Sequence, residues 1–234
     1  IMAEWTKNKS LINFVTIAYF AVALTEIMAE LFEMKLLIYV LKPLMPVILM
    51  ILYFTASKVR DPLFFITLFF SVVTNILFIP NDQVTLFYGI IAFMLHRVVI
   101  LYYIIKLLKI KDYIPVFIAT IPFMILFFYL LASSEVPQNS FIILIFQNIL
   151  ISILGGIALS NYVMHDNKKN SWLLICGLLF VGLQFIVFIE KYYLSGLTLT
   201  IFRPIAMGLN AFAFYTFYEF VNAIEKSDEN GAPH

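Results

Sequence analysis

VTLFYGIIAFMLHRVVILYYIIKL, residues 84–107, decides the class of this protein. The stretch holds a single formal charge, Arg97, before Lys106 closes it. A helix rises about 1.5 Å per residue, so roughly 20 apolar residues cross the ~30 Å hydrocarbon layer of a bilayer. A helix on a soluble surface would show a polar face over such a length, and this one shows none. Seven more runs of the same kind follow from it in both directions: 11–31, 36–54, 62–79, 113–132, 140–163, 172–189 and 199–222. Turn-forming residues stand in the breaks, at Arg60-Asp61-Pro62, Pro80-Asn81-Asp82 and Pro137-Gln138-Asn139, and in the polar segment from His165 to Asn170. The expected fold is all-α: a polytopic bundle of eight transmembrane helices forming one domain over 11–222. An N-terminal segment (1–10) and a C-terminal tail (223–234) flank it. Ile1, ahead of Met2, and Gly231 to His234 read as additions outside the fold.

Composition agrees. Of 234 residues 63% are hydrophobic and 12% charged, against roughly 25% charged in soluble domains. Water would not tolerate so much apolar surface, whereas lipid does. The net charge of +1 leaves no basic footprint for nucleic acid. Cys176 is the one cysteine, so no internal disulfide forms. The run from Leu11 is too long for a signal-peptide core and lacks a small-residue cleavage pattern, so it reads as a retained helix.

Lys and Arg give the orientation, because cytoplasmic loops carry the excess. With eight crossings, Lys7, Lys9, Lys58, Arg60, Lys106, Lys109, Lys111, Lys168, Lys169 and Lys226 share one side, against Lys35 and Lys191 on the other. Both termini are therefore expected in the cytoplasm of a multi-pass protein, with a bacterial inner membrane the expected location. Trp5, Tyr102, Tyr103, Tyr113, Trp172, Tyr192 and Tyr193 stand near span ends, as interfacial aromatics do.

Ionisable side chains within the bilayer are costly, and each is a candidate for function. Here they are Glu26, Glu30, Lys42, His96, Arg97, Arg203 and Glu219, with Asn75, Gln147, Asn148, Gln184 and Asn210 as uncharged polar companions. Alternating helix direction puts Glu26, Glu30, Lys42, Asn75, Gln147, Asn148, Gln184 and Arg203 in the outer half, and His96 and Arg97 near the middle. Glu26, Glu30 and Glu33 follow one helix face. Two readings of this level stand side by side: a polar cavity opening outward, and buried ion pairs in which Glu26 or Glu30 neutralises Lys42 or Arg97. Three cations, Lys42, Arg97 and Arg203, suit a phosphate, since arginine binds such groups with two hydrogen bonds at once. Glu219 is expected near the inner interface. The stripe Asn148, Ser152, Gly156 and Ser160, with Gly155 beside it, lets a neighbouring helix approach closely. His96 and His165 fall on different helices, so no metal spacing appears; phosphate loops are absent, and no cofactor is expected.

In order along most of the chain, short motifs resemble the lysoplasmalogenase-like YhhN family of eight-helix membrane proteins. Lys42-Pro43-Leu44 is similar to its Lys-Pro-Leu. Phe70-Ser71-Val72-Val73-Thr74-Asn75 stands in the place of its Phe-Ser-x-x-Gly-Asp. The stretch Gly89 to Phe93, followed by His96, resembles its Gly-x-x-x-Phe leading to a histidine, and Phe180-Val181-Gly182-Leu183-Gln184 its Phe-x-x-Ser-Asp. Both family aspartates are amides here, Asn75 and Gln184, and the histidine is displaced by one position beside Arg97. The resemblance implies hydrolysis of the vinyl-ether bond of a lysoplasmalogen to a fatty aldehyde and a glycerophospho head group. That reaction needs a proton on the enol-ether carbon, then water on the oxocarbenium. Amides cannot deliver the proton, whereas Glu26 or Glu30 can. The candidate catalytic set is Glu26, Glu30, Asn75, Gln184 and His96, with Lys42, Arg97 and Arg203 binding the substrate.

Other readings differ in class. A non-catalytic relative would hold a lysophospholipid or other amphiphile in the same cavity. A small proton-coupled transporter would use the acid–base cluster as a path, although no inverted repeat or paired broken helices appear. A retinal protein would need a lysine within its last helix, and the eighth run has none.

Overall fold

Three of the breaks in hydropathy hold side-chain caps at the start of the next helix. Asp61 accepts a hydrogen bond from the Leu63 N–H, with Pro62 in the first turn; Asp82 accepts from Val84 and Thr85; Asn167 accepts from Asn170. The turns after α1, α2 and α4 use Glu33, Arg60 and Lys109 in the left-handed region, at φ 53°, 52° and 50°. The computed structural model describes residues 2–80, 82–193 and 201–229, with the side chains of 2–8, Asn139, Tyr193 and Glu229 outside the description. Trp5, Lys7, Asn81, Leu199 and Gly231 to His234, all used above, fall outside the described residues or side chains.

Eight α-helices result: α1 (Met2–Leu31), α2 (Lys35–Ala56), α3 (Pro62–Leu77), α4 (Gln83–Leu108), α5 (Ile114–Ala132), α6 (Gln138–Met164), α7 (Lys168–Phe188) and α8 (Phe202–Glu229). A single π-helical turn, Ile189–Tyr193, extends α7. Among the described residues there is no strand. Six helices are long and apolar enough to cross a membrane: α1 from Lys9, α2, α4, α5, α6 from Ser140, and α7 continued to Tyr192. The protein is a multi-pass membrane protein by this length and composition. α3 is shorter than expected, ending at Leu77, and its 16 residues rise only about 24 Å. α8 runs beyond the expected 222 to Glu229, because Ile224 is buried in the core and Glu225 is held by two hydroxyls, described below.

α8 packs in the interior against α7, α1 and α2, and buries Phe214, Phe217, Phe220, Val221 and Ile224. α5 lies at the periphery against α6 and turns Phe117, Ile118, Ile125 and Tyr129 outward. An apolar exterior over an aromatic interior is the pattern lipid permits and water does not. Between α5 and α6 the approach depends on glycine. A Cβ on Gly156 would lie 2.0 Å from Thr120 Oγ1 and 2.9 Å from Thr120 backbone atoms. The small-residue stripe of α6 is therefore a packing seam, with Asn148 Nδ2 donating across it to the Phe127 carbonyl (3.4 Å).

α1 and α8 run antiparallel. Tyr19 Oη donates to the Ala211 carbonyl (2.7 Å), while further along α1 Ile27 faces Gly208, earlier in α8. The start of α1 and the end of α8 thus share one end of the bundle.

Candidate functional site

Lys42 begins the site because of two prolines. Pro43 and Pro46 lie inside α2. Pro46 has no N–H, so the Lys42 carbonyl four residues earlier loses its helical partner. Asn75 of α3 supplies the missing donor, Nδ2 to the Lys42 oxygen at 3.0 Å. The Lys42 side chain meanwhile reaches Glu30 of α1, with Nζ 2.8 Å from Oε1 and both residues buried. Three helices are joined at one residue. Of the two readings of the charges, the ion pair is realised at Glu30 and Lys42.

Glu26 lies one turn earlier in α1 than Glu30. It is 0% exposed, and neither carboxylate oxygen has a hydrogen-bond partner among the described residues. Lys42 and Glu30 are within electrostatic reach of it.

His96 and Arg97 occupy a different place. The Arg97 guanidinium carbon lies 4.5 Å from the Phe93 ring centre and 4.6 Å from that of Phe180. His96 stacks with Phe93 at 6.1 Å and meets Phe214 at 5.4 Å. This is an aromatic box, and no carboxylate pairs with Arg97 among the described residues. Arg203 stands apart again, at the rim: its Nε is 3.0 Å from Glu190 Oε1 and its side chain is 49% exposed. The charges therefore do not meet as one cluster. They form the Glu30–Lys42–Asn75 junction with Glu26 beside it, the His96–Arg97 box, and the Arg203–Glu190 rim pair. Glu219 accepts from Tyr215 Oη (3.1 Å) on its own helix.

Beside the box, and sharing Phe93 with it, lies a small cavity lined by Phe78, Ile90, Phe93, Gln147, Gln184 and Lys191, among others. Its volume, about 20 Å³, is near the minimum for a single water. Gln147 Nε2 donates to the Ile90 carbonyl (2.8 Å). Gln184 makes no side-chain hydrogen bond among the described residues and faces this space.

The sequence profile of the YhhN family matches residues 37–219. The chain belongs to the YhhN family. Comparison with curated proteins and with solved structures gave no match. The matched segment contains most of α2, all of α3 to α7 and most of α8, and so both amide positions of this YhhN protein, Asn75 and Gln184. Their geometry differs: Asn75 is committed to a backbone carbonyl, and Gln184 is free in the cavity.

Two functional features escape sequence reading. Lys191, expected only at the interface, lies in the cavity wall with its Nζ 5.5 Å from the Phe78 ring centre. Both Glu190, which goes to the rim, and Lys191, which goes inward, belong to the π-turn that extends α7. The second feature is at the opposite end. Glu225 of α8 accepts from Tyr53 Oη (2.5 Å) and Ser57 Oγ (2.6 Å) of α2 and its C-cap. The Asp61 N–H donates to the same Tyr53 oxygen (2.9 Å), and Lys106 pairs with Asp61 at 3.2 Å. Arg60-Asp61-Pro62, legible as a turn, is also part of a clasp across four helices.

Proposed function

We propose that this protein is a lysoplasmalogenase-type ether hydrolase in which Glu26 replaces the family aspartates as the acid. The observation that carries the reading is the Glu26 carboxyl group, wholly buried and with both oxygens unclaimed, one helical turn from the Glu30–Lys42 pair. In structural roles buried carboxylates are paired, as Glu30 is. Family membership supports the reaction class, and Gln147, Gln184 and Lys191, set in a mainly apolar cavity wall, are polar contacts of the kind a head group needs. In the reaction, Glu26 would give its proton to the outer carbon of the vinyl ether, leaving the charge shared between the inner carbon and the ether oxygen. Water then adds to the inner carbon and loses a proton. The hemiacetal so formed collapses to a fatty aldehyde, and the ether oxygen leaves as an alcohol of the glycerophospho head group. Gln184 is placed to hydrogen-bond water or head group, and Asn75 to hold α2 in position.

A second reading, a non-catalytic holder of a lysophospholipid or similar amphiphile, is favoured by one observation: the residues lining the cavity supply amides and a lysine but no carboxylate. Purified protein incubated with 1-alkenyl lysophospholipid separates the two. Hydrolysis predicts fatty aldehyde released by the native chain and lost in Glu26→Gln, with bound lipid retained by both. Bound lipid without aldehyde from the native chain rejects the enzyme and leaves the holder. Aldehyde release undiminished in Glu26→Gln rejects Glu26 as the acid.

A further inference from the structure

Arg97 is the largest side chain among those fully enclosed in the described structure. It is 1% exposed, and its Nε and both terminal nitrogens have no acceptor among the described residues. Both ring nitrogens of the adjacent His96 are equally unclaimed. Stripping a guanidinium of water without giving it an anion is costly. The Phe93 and Phe180 rings offset part of that cost through their faces, but they take up none of the in-plane N–H fork that fits phosphate and carboxylate.

Phe93 connects this box to the cavity. Its ring stacks on Arg97 and His96, and it also lines the cavity wall. In that same wall Lys191 rests on Phe78, whose ring centre is 6.2 Å from that of Phe93. Two cations thus stand at the ends of one file of two rings. The inner one is a helical turn deeper, since Arg97 follows Phe93 by four residues, about 6 Å along α4. As it stands the cavity holds no more than about a water, so an anion in it would meet Lys191 and remain screened from Arg97 by a ring.

We infer that Arg97 is an occluded seat for a phosphate-type oxyanion, entered from the Lys191 cavity when the Phe93 ring swings aside. The inference rests on the reading that the ligand is a single-chain phospholipid, and it names where the charge of that lipid goes. Lys191 gathers the anion, the Arg97 fork holds its two unesterified oxygens, and a His96 ring N–H donates to one of the same pair. Each such oxygen accepts more than one hydrogen bond, so a phosphodiester serves all of these partners at once.

A saturated 1-alkyl lysophosphatidylcholine cannot be cleaved as a vinyl ether, so it reads binding whether or not the protein is a hydrolase. Its affinity for the purified protein in a maltoside detergent is measured by ligand-induced thermal shift, beside a 1-alkylglycerol of the same chain length and inorganic phosphate alone. The seat predicts a saturable shift with the phospholipid and none with the alkylglycerol. It predicts affinity at least about tenfold weaker in Arg97→Gln and partly kept in Arg97→Lys, as for lost charge-assisted hydrogen bonds. Equal shifts from phospholipid and alkylglycerol, or an unchanged affinity in Arg97→Gln, overturn it. A saturating shift from inorganic phosphate as tight as that from the lipid keeps the oxyanion seat and overturns its assignment to a lipid head group. Should Arg97→Gln fail to fold, association kinetics of the phospholipid in Phe93→Ala and Phe93→Trp decide: faster in the first and slower in the second supports the door, and unchanged rates in both overturn it.

Discussion

Asn75→Ala leaves the Lys42 carbonyl buried with no donor, because Pro46 cannot supply one. An unsatisfied buried polar group costs about 1–3 kcal/mol. For a chain of this size each kcal/mol moves the melting midpoint by roughly 2–4 °C, so a fall of roughly 2–12 °C is expected. Asn75→Asp should fall at least as far, since an ionised carboxylate has no hydrogen to offer the carbonyl. The decisive variant is Asn75→Ala made in a Pro46→Ala background. There residue 46 regains an N–H able to bond the Lys42 carbonyl within α2, so the second substitution should cost much less than in the native chain. Midpoints for the four proteins of this cycle, read by Trp172 fluorescence in detergent or nanodiscs, give the coupling directly. Additive losses, with Asn75→Ala costing the same in both backgrounds, would refute the account of why this amide is here.

Three other outcomes follow from the packing and charges. Lys42→Met strands Glu30 in the interior and should destabilise by about 3–5 kcal/mol, whereas Lys42→Met with Glu30→Met should recover most of the loss; a double variant no more stable than the single argues against the pair. Gly156→Ala should cost about 1–3 kcal/mol through overpacking, and Thr120→Ala should not rescue it, because Thr120 backbone atoms would remain 2.9 Å from the new methyl; full rescue in thermal unfolding would show the seam to be adjustable. The Asp82 carboxyl, outside the spans, is held below its usual 3.8 by hydrogen bonds from Thr85 and Val84. Its folded value is depressed, so its capping contribution is complete above 3.8 and fades as pH falls through the lower value. The midpoint difference between native chain and Asp82→Ala should therefore shrink on acidification, and a difference that grows would contradict the cap.

The class of fold was legible because a bilayer imposes a length: runs such as 84–107 admit no soluble reading. Asp61 and Asp82 stand in turn-rich breaks just before the runs from 62 and 84 and accept from orphan N–H groups there, whereas Asn167 caps a helix that begins at Lys168, ahead of the expected 172. Which helix carries each polar side chain was legible too, since that follows from counting residues. Their azimuth was not. Glu30 and Lys42 face each other while Arg97, also a buried cation, turns into aromatic rings, and rotation about a helix axis depends on neighbours that one sequence leaves unspecified. Lys191 was hidden further, because a π-turn breaks the phase on which such counting relies. The partnership of Glu225 with Tyr53 and Ser57 spans about 170 residues and has no local sign at all.

That distant partnership has a mechanical consequence. With α2, α3, α4 and α8 tied together by hydroxyls and carboxylates at one end, spreading there would rupture several bonds at once. The opposite end is held by the Glu30–Lys42 and Arg203–Glu190 pairs and by the Asn75 and Gln147 amides, which donate to the Lys42 and Ile90 carbonyls. Because Tyr53 and Ser57 grip separate oxygens of the one Glu225 carboxylate, losing either hydroxyl leaves the other holding α2 to α8, and only loss of Glu225 itself frees the two helices there.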